Sequence, residues 1–154
     1  MGNSVQEVIA VMCTNRHRDL DIYIHLQSIT AITTRMWANS NFIRFHKQKD
    51  ALSKIINRIP NPELYLIAEK LVGQKYLYDK RFFCHVDNDL IKIKGKFSLL
   101  DFQKACYAYL LDNPRLITNK MKTFYKDKDA RDKSIQLLIK ELMQYYGNEI
   151  KKLN

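Results

Sequence analysis

The sequence predicts an α/β protein, with a parallel-sheet segment near its start and a mostly α-helical extension after it. Two short runs rich in β-branched and aromatic residues, near 21–27 and 41–46, are each preceded by a helical pattern. Helix, strand, helix, strand at short spacing is typical of the crossover connections of a parallel sheet. Further along, a polar stretch at 87–89 separates two strand-like runs and predicts one β-hairpin within the extension.

The first predicted elements lie between residues 4 and 46. Ser4 stands three residues before a glutamate, which is the spacing of a capping box, and predicts a helix over about 4–17. Within the first predicted strand, residues 22–26 are almost continuously apolar, as expected of a strand that is covered on both faces. A second helix over about 29–38 and a second strand at 41–46 complete the pattern.

The extension reads as helices around the hairpin. We expect a short helix over 49–58, a helix that begins at Pro62 and ends between about 73 and 78, and a hairpin over 81–95. Ser98 predicts the cap of a further helix with a clear apolar stripe, which Asn113 and Pro114 end.

The last part of the chain is predicted to be a basic linker followed by an amphipathic helix. Residues 115–133 are rich in lysine and poor in apolar anchors, whereas 130–146 carry an apolar stripe that needs a partner surface. We therefore divide the chain at 48 and 114, into 1–48, 49–114 and 115–154.

The length, charge and apolar content of the chain limit the kinds of partner and the cellular compartment that we expect. The chain has 154 residues, enough for one domain with a core, and 26 Lys and Arg against 16 Asp and Glu give a net charge of +10. Such a surface attracts polyanions, most often nucleic acid, although charge alone does not separate DNA from RNA or from an anionic membrane. No apolar run is long enough to span a membrane and no secretory signal begins the chain, so we expect a cytoplasmic protein without a membrane partner.

Cysteine and glycine usage excludes several classes of site. Cys13, Cys84 and Cys106 are widely spaced without a CxxC, which favours free thiols in a reducing compartment. Cys13 lies four residues before His17, and Cys84 precedes His85, but zinc sites usually show closer paired spacing, so we expect no metal site. The four glycines are isolated, so the sequence has neither GxxxxGK[ST] nor GxGxxG.

Two kinds of polar residue leave their role open. Gln27 follows an apolar run and is either a simple strand end or a group that orients water or senses phosphate at a sheet edge. Arg16, Arg18, Arg35 and Arg44 are either solvated charges or groups that stabilise charge in phosphoryl transfer. Periodicity does not decide between these roles.

The stretch RHRDLDIYIHLQS, followed by ANSNFIRFHK, resembles the FtsK/HerA superfamily of P-loop DNA-translocating ATPases, particularly the virus genome-packaging type. In that family, downstream of the Walker B strand, a helix ends in an arginine, a strand closes on glutamine, and a later strand carries an arginine after an asparagine. Arg16-His17, Gln27-Ser28 and Asn39 to Phe45 with Arg44 match these elements in order. The likeness is confined to the first third of the chain.

The resemblance implies a partial RecA-like parallel sheet and three catalytic residues. Arg16 would be an arginine finger that reaches a neighbouring subunit, Gln27 a strand-end sensor, and Arg44 a contact near the subunit interface. Walker A and Walker B are missing, so we expect a C-terminal portion, or a hydrolysis-deficient derivative, of a genome-packaging ATPase. It would bind no cofactor alone, and ATP and Mg²⁺ would come with an upstream half. The implied partners are that half or further copies of the chain, in the host cytoplasm if the protein is viral.

The basic segment leads to two further expectations. We expect non-specific phosphate contacts to DNA from six residues: Lys120, Lys122, Lys126, Lys128, Arg131 and Lys133. The alternative function is a basic nucleic-acid-binding or regulatory helical module without an ATP-linked role, in which tyrosines stack on bases: Tyr107, Tyr109, Tyr125, Tyr145 and Tyr146. A third reading is an oligomerisation element whose final helix docks on a neighbouring copy.

Overall fold

The computed structural model of the chain describes residues 7, 10, 22–26, 28–121 and 128–147. This part is a mixed α and β structure, with five α-helices and one three-stranded antiparallel sheet. The α-helices are α1 (Thr34–Asn39), α2 (Pro62–Lys75), α3 (Leu99–Asp112), α4 (Pro114–Met121) and α5 (Lys128–Tyr146). The strands are β1 (Phe42–His46), β2 (Phe83–Asp87) and β3 (Lys92–Gly95).

The chain divides into two compact units. The first comprises Met1–Asn41 and Gln48–Pro62, and the second comprises Phe42–Lys47 and Glu63–Asn154. Strand β1 belongs to the second unit although the residues on both sides of it belong to the first.

The first unit is built from short helical turns. Ser28 caps a 3-10 turn at Ile29–Ala31, and its hydroxyl donates a hydrogen bond of 2.7 Å to the Asp50 carboxylate. In place of one helix over 29–38, this turn is followed by α1, which Thr33 caps. The predicted helix at 49–58 is likewise two 3-10 turns, because Ile55 between them departs from helical backbone angles, with φ −126°.

The predicted parallel sheet is wrong for the residues that the structure describes. Residues 22–26 form no strand, and within this run Tyr23 is 93% exposed and Ile22 is 40% exposed, so the run is not the doubly covered strand that its apolarity suggested. The second predicted strand exists as β1, but it pairs antiparallel with β2 from the distant hairpin. The hairpin supplies a ready strand edge, whereas two parallel strands alone would not make a stable sheet.

The antiparallel sheet of the second unit has the order β1-β2-β3. The predicted hairpin is confirmed: β2 and β3 pair with Val86 opposite Ile93, joined by a turn at 88–91. In this turn Ile91 has φ +56°, a left-handed conformation that β-branched residues rarely adopt.

The helices of the second unit confirm most of the predicted extension. Helix α2 begins at Pro62, and α3 begins with a capping box between Ser98 and Asp101. Helices α3, α4 and α5 contact one another, and α5 also contacts β3. The predicted linker is wrong over 115–121, which belong to α4, because Ile117 is buried and gives this short helix an apolar anchor.

Candidate nucleic-acid interface

The strand register divides the sheet into two chemically different faces. Residues directly opposite each other on paired strands share a face, and alternate residues along a strand point to opposite faces. One face is apolar and largely buried: Ile43, Phe45, Cys84, Val86 and Ile93. The other face, which we call the aromatic–basic face, carries Phe42, Arg44, His46, Phe83, His85, Asp87, Lys92 and Lys94.

Burial of the apolar face holds the aromatic–basic face outward. Phe45 is 2% exposed and its ring lies edge-on to that of Tyr65 on α2, with centroids 6.4 Å apart. Cys84 and Val86 are fully buried on the same face. A register slip of one residue would exchange the two faces, so this packing fixes which side chains reach solvent.

The centre of the aromatic–basic face is a cluster around the ring of Phe83. The guanidinium carbon Cζ of Arg44 lies 3.7 Å above the centroid of that ring. The His46 ring lies beside it at 5.4 Å, and the His85 ring meets it at right angles at 5.3 Å. Arg44 is exposed, whereas the Phe83 side chain is only partly exposed. The cluster thus presents its cation outermost.

A second exposed ring lies at the other end of β1. Phe42 is 58% exposed, and the ammonium of Lys94 lies 5.6 Å from the centroid of its ring. Phe42 opposes Asp87 while Phe83 opposes His46, so the two rings lie four residues apart along the strand direction, roughly 13 Å. The face therefore has two aromatic positions with cations at each.

Asp87 organises the hairpin end of the face. It is 1% exposed, and its carboxylate accepts hydrogen bonds from the Lys94 ammonium at 2.6 Å and from the Leu90 N–H at 2.9 Å. Burial alone would raise the pKa of this carboxyl. The hydrogen bonds from Lys94 and from the turn backbone, together with the positive charge of Lys94, have a larger opposite effect, so the pKa is lower than its usual value. Asp87 is therefore ionised and fixes Lys94 on the face.

The charge of the face is positive. Its three cations, Arg44, Lys92 and Lys94, stand against one carboxylate, within strands that the structure describes in full. The Lys92 ammonium donates to the carbonyls of Gln144 and Tyr145 at the end of α5, where a cation is favoured by the helix dipole. Within the part of the chain described, no ion pair involves Arg44, and its side chain is exposed.

The predicted ATP-related residues are only partly placed. Arg16 and Gln27 lie outside the described residues, so their roles stay predictions. Arg44 is described, and it lies on an exposed sheet face against an aromatic ring rather than at the end of a parallel strand.

The six basic residues predicted to contact DNA lie in different surroundings. Lys120 pairs with Glu141 at 2.7 Å, and Arg131 and Lys133 are exposed on α5. Lys128 is the first residue of α5, while Lys122 and Lys126 lie outside the described residues. The phosphate contacts expected of these residues stay a prediction.

Two of the tyrosines expected to stack on bases belong to the core. Tyr109 and Tyr146 are 6% and 7% exposed, and the Tyr146 hydroxyl donates a hydrogen bond of 2.5 Å to the carboxylate of Glu63. Burial is the largest cause that raises the pKa of each phenol, and the negative carboxylate adds to it. They serve packing, while Tyr107 and Tyr145 are exposed and Tyr125 lies outside the described residues.

The Glu63 cluster adjoins an open cleft of about 620 Å³. Two carboxylates line it, those of Glu63 and Glu141, but the first accepts a hydrogen bond from Tyr146 and the second pairs with Lys120. Since both carboxylates already have partners, we assign no ligand to this cleft.

Sequence reasoning missed most of the aromatic–basic face. The signal was present in the alternation of FIRFH, FCHVD and KIK, where every second side chain is aromatic or charged. The two strand segments around Arg44 and Phe83 are far apart in sequence, so only their pairing shows that these positions share one face.

Among the described residues, no three His, Cys, Asp or Glu side chains are grouped so that they could hold a metal ion. In the same part of the chain, no helix is long and apolar enough to cross a membrane. Comparison of the chain with protein-family models, curated proteins and solved structures finds no match to any of them.

Proposed function

We propose that this chain binds single-stranded nucleic acid through the aromatic–basic face. The observation that carries the proposal is the alternation of rings and cations on one face, with Phe42 and Arg44 exposed and Lys94 and Phe83 partly exposed beside them. A single strand offers unstacked bases to aromatic or guanidinium surfaces and phosphates to cations, and proteins that bind it combine these two kinds of contact.

The aromatic groups favour a single strand over a duplex. In a duplex the flat surfaces of the bases are stacked on one another, so a duplex would use only the cations of the face. An exposed ring such as Phe42 would then gain nothing from the partner. The net charge of +10 supports the same class of partner, because it draws a polyanion toward the chain from a distance.

The ATPase role that the resemblance implies depends on a parallel sheet. The described strands form an antiparallel sheet instead, and Arg44 lies on its open face. Nucleic-acid binding requires no nucleotide-holding core, so it is the function that this geometry supports best.

The first experiment measures the affinity of the full chain for a labelled thymine strand of about eight nucleotides and for a duplex of equal length, by fluorescence anisotropy. We expect tighter binding of the single strand. The logarithm of the binding constant should fall linearly with the logarithm of the salt concentration, by about 0.7 for each phosphate neutralised. Equal affinity for the duplex, or binding insensitive to salt, would contradict the proposal.

A pair of matched variants locates the interface. Arg44→Gln removes one charge from the aromatic–basic face, and Arg115→Gln removes the same group from an exposed position on α4. We expect Arg44→Gln, but not Arg115→Gln, to weaken binding and to reduce the dependence of the binding constant on salt concentration. Equal effects of both substitutions would show that net charge, rather than this face, determines binding.

A further inference from the structure

We propose that the surface on which a base stacks at the centre of the aromatic–basic face is the guanidinium of Arg44, and that Phe83 serves to hold this guanidinium flat. The inference rests on the proposed function and names the contact through which a base would be bound. It assigns Arg44 a role in contact with the bases, beyond that of a phosphate-binding charge.

The distance between the two groups supports a stacked arrangement. The Cζ atom of Arg44 lies 3.7 Å from the centroid of the Phe83 ring, which is the spacing of two planes in van der Waals contact. A guanidinium that pointed an N–H bond at the ring would place its nitrogen about 1.3 Å nearer than its carbon, and would hold Cζ farther away. Since Arg44 is exposed, we infer that the second face of the guanidinium is the one open to a ligand.

The neighbours of Phe83 surround much of its ring. Arg44 covers one face, His85 meets the ring at right angles, and His46 lies tilted beside it. The Phe83 side chain is only partly exposed, while Arg44 is exposed. A base that approaches this position from solvent reaches the guanidinium before it reaches the ring.

The chemistry of the pair suits a base. The negative face of the aromatic ring attracts the cation and limits its rotamers, so less side-chain entropy is lost when the base binds. The outer face of the planar guanidinium stacks on a nucleobase, and its N–H groups, which lie in the plane, remain directed sideways toward phosphates or base edges. Stacking of this kind tolerates any base, since every base has a π-face.

The substitution Arg44→Lys separates stacking from charge. Lysine keeps the positive charge but lacks the planar group, so it is not a conservative replacement at a stacked site. The matched control is Arg115→Lys, the same change at an exposed position on α4. Arg44 is exposed, so neither variant removes buried packing, and circular dichroism serves to verify that both remain folded.

The experiment compares a thymine strand of about eight nucleotides with an abasic strand of equal length, which has the same phosphates and no bases. We expect the wild-type chain to prefer the thymine strand. Arg44→Lys should bind the thymine strand about tenfold more weakly and the abasic strand as the wild type does, because only the base contact is lost. Arg115→Lys should match the wild type on both strands.

A second variant, Phe83→Leu, tests the supporting ring. If Phe83 holds the guanidinium, this variant should lose the same preference for bases that Arg44→Lys loses. The inference is overturned if Arg44→Lys keeps the wild-type preference, whether or not Phe83→Leu loses it; the proposed function would then stand with another stacking surface. A wild-type chain that binds neither strand, or both equally, would overturn the function and the inference together.

Discussion

Replacing Asp87 by asparagine tests what holds the hairpin side of the aromatic–basic face. The carboxylate is 1% exposed and accepts from Lys94 at 2.6 Å and from the Leu90 N–H at 2.9 Å. Asparagine fills the same space and keeps a carbonyl oxygen for the Leu90 N–H, so the substitution removes chiefly the charged bond to Lys94. We expect the free energy of unfolding to fall.

The size of the effect follows from burial at the two ends of the bond. A hydrogen bond to a charged group contributes about 1.5–3 kcal/mol. The Lys94 side chain is 32% exposed and regains water when the bond is lost, so we expect the lower part of this range, about 1.5–2 kcal/mol at pH 7. For a chain of this size that corresponds to a melting temperature lower by roughly 3–8 °C.

The pH dependence of the free energy of unfolding tests whether the Asp87 carboxylate causes this loss of stability. The pKa of Asp87 is lowered in the folded chain, so its stabilisation is fully present above the unfolded pKa of about 3.9 and is lost as pH falls through the folded value. Urea unfolding at several pH values from 7 to 2 should show the wild type and Asp87→Asn converging in acid. The same change at Asp112, an exposed partner of Lys70, should cost under about 1 kcal/mol. A difference between the wild type and Asp87→Asn that stays constant down to pH 2 would refute the reasoning.

Two further predictions concern the hairpin turn and the thiols. Ile91 has φ +56°, a backbone conformation that costs an L-residue about 1–2 kcal/mol. Asparagine tolerates this conformation better, so Ile91→Asn should raise the melting temperature by a few degrees. A melting temperature below that of the wild type would contradict the idea that Ile91 is strained. Cys84 and Cys106 are fully buried, and burial raises the pKa of each thiol to about 12. In a Cys13→Ser background at pH 8, a thiol reagent should therefore label the chain only as fast as it unfolds, and labelling within seconds would show that one thiol is accessible.

Elements whose signals lie within a few residues were predictable from the sequence. Ser98 and Asp101 form the capping box of α3 within a single turn, and Pro62 begins α2 at a position where its missing N–H is no loss. The hairpin could be predicted for the same reason, because its two strands and its turn are contiguous.

Features that depend on distant partners were not predictable. The run Ile22–Leu26 was expected to be a strand because it is apolar, but an apolar run becomes a buried strand only where other elements cover it, and Tyr23 is 93% exposed. Conversely, 115–121 has few apolar residues, yet burial of Ile117 in the second unit is enough for a helix there. In both places, tertiary contacts decided what local composition left open.

Arg44 shows why a motif and a fold assign different chemistry to one side chain. As the last arginine of a three-part pattern it suggests a contact near a nucleotide, because an arginine at a subunit interface can stabilise phosphoryl transfer. An arginine used in this way must extend toward the phosphate of a neighbour. In this chain its guanidinium lies 3.7 Å above Phe83, a residue from a different strand that enters no part of the pattern. The same group held against a ring presents a flat cation, which suits a base as well as a phosphate. The sequence therefore indicated that Arg44 is a candidate functional residue, whereas the chemistry available to it depends on the antiparallel pairing of β1 with β2.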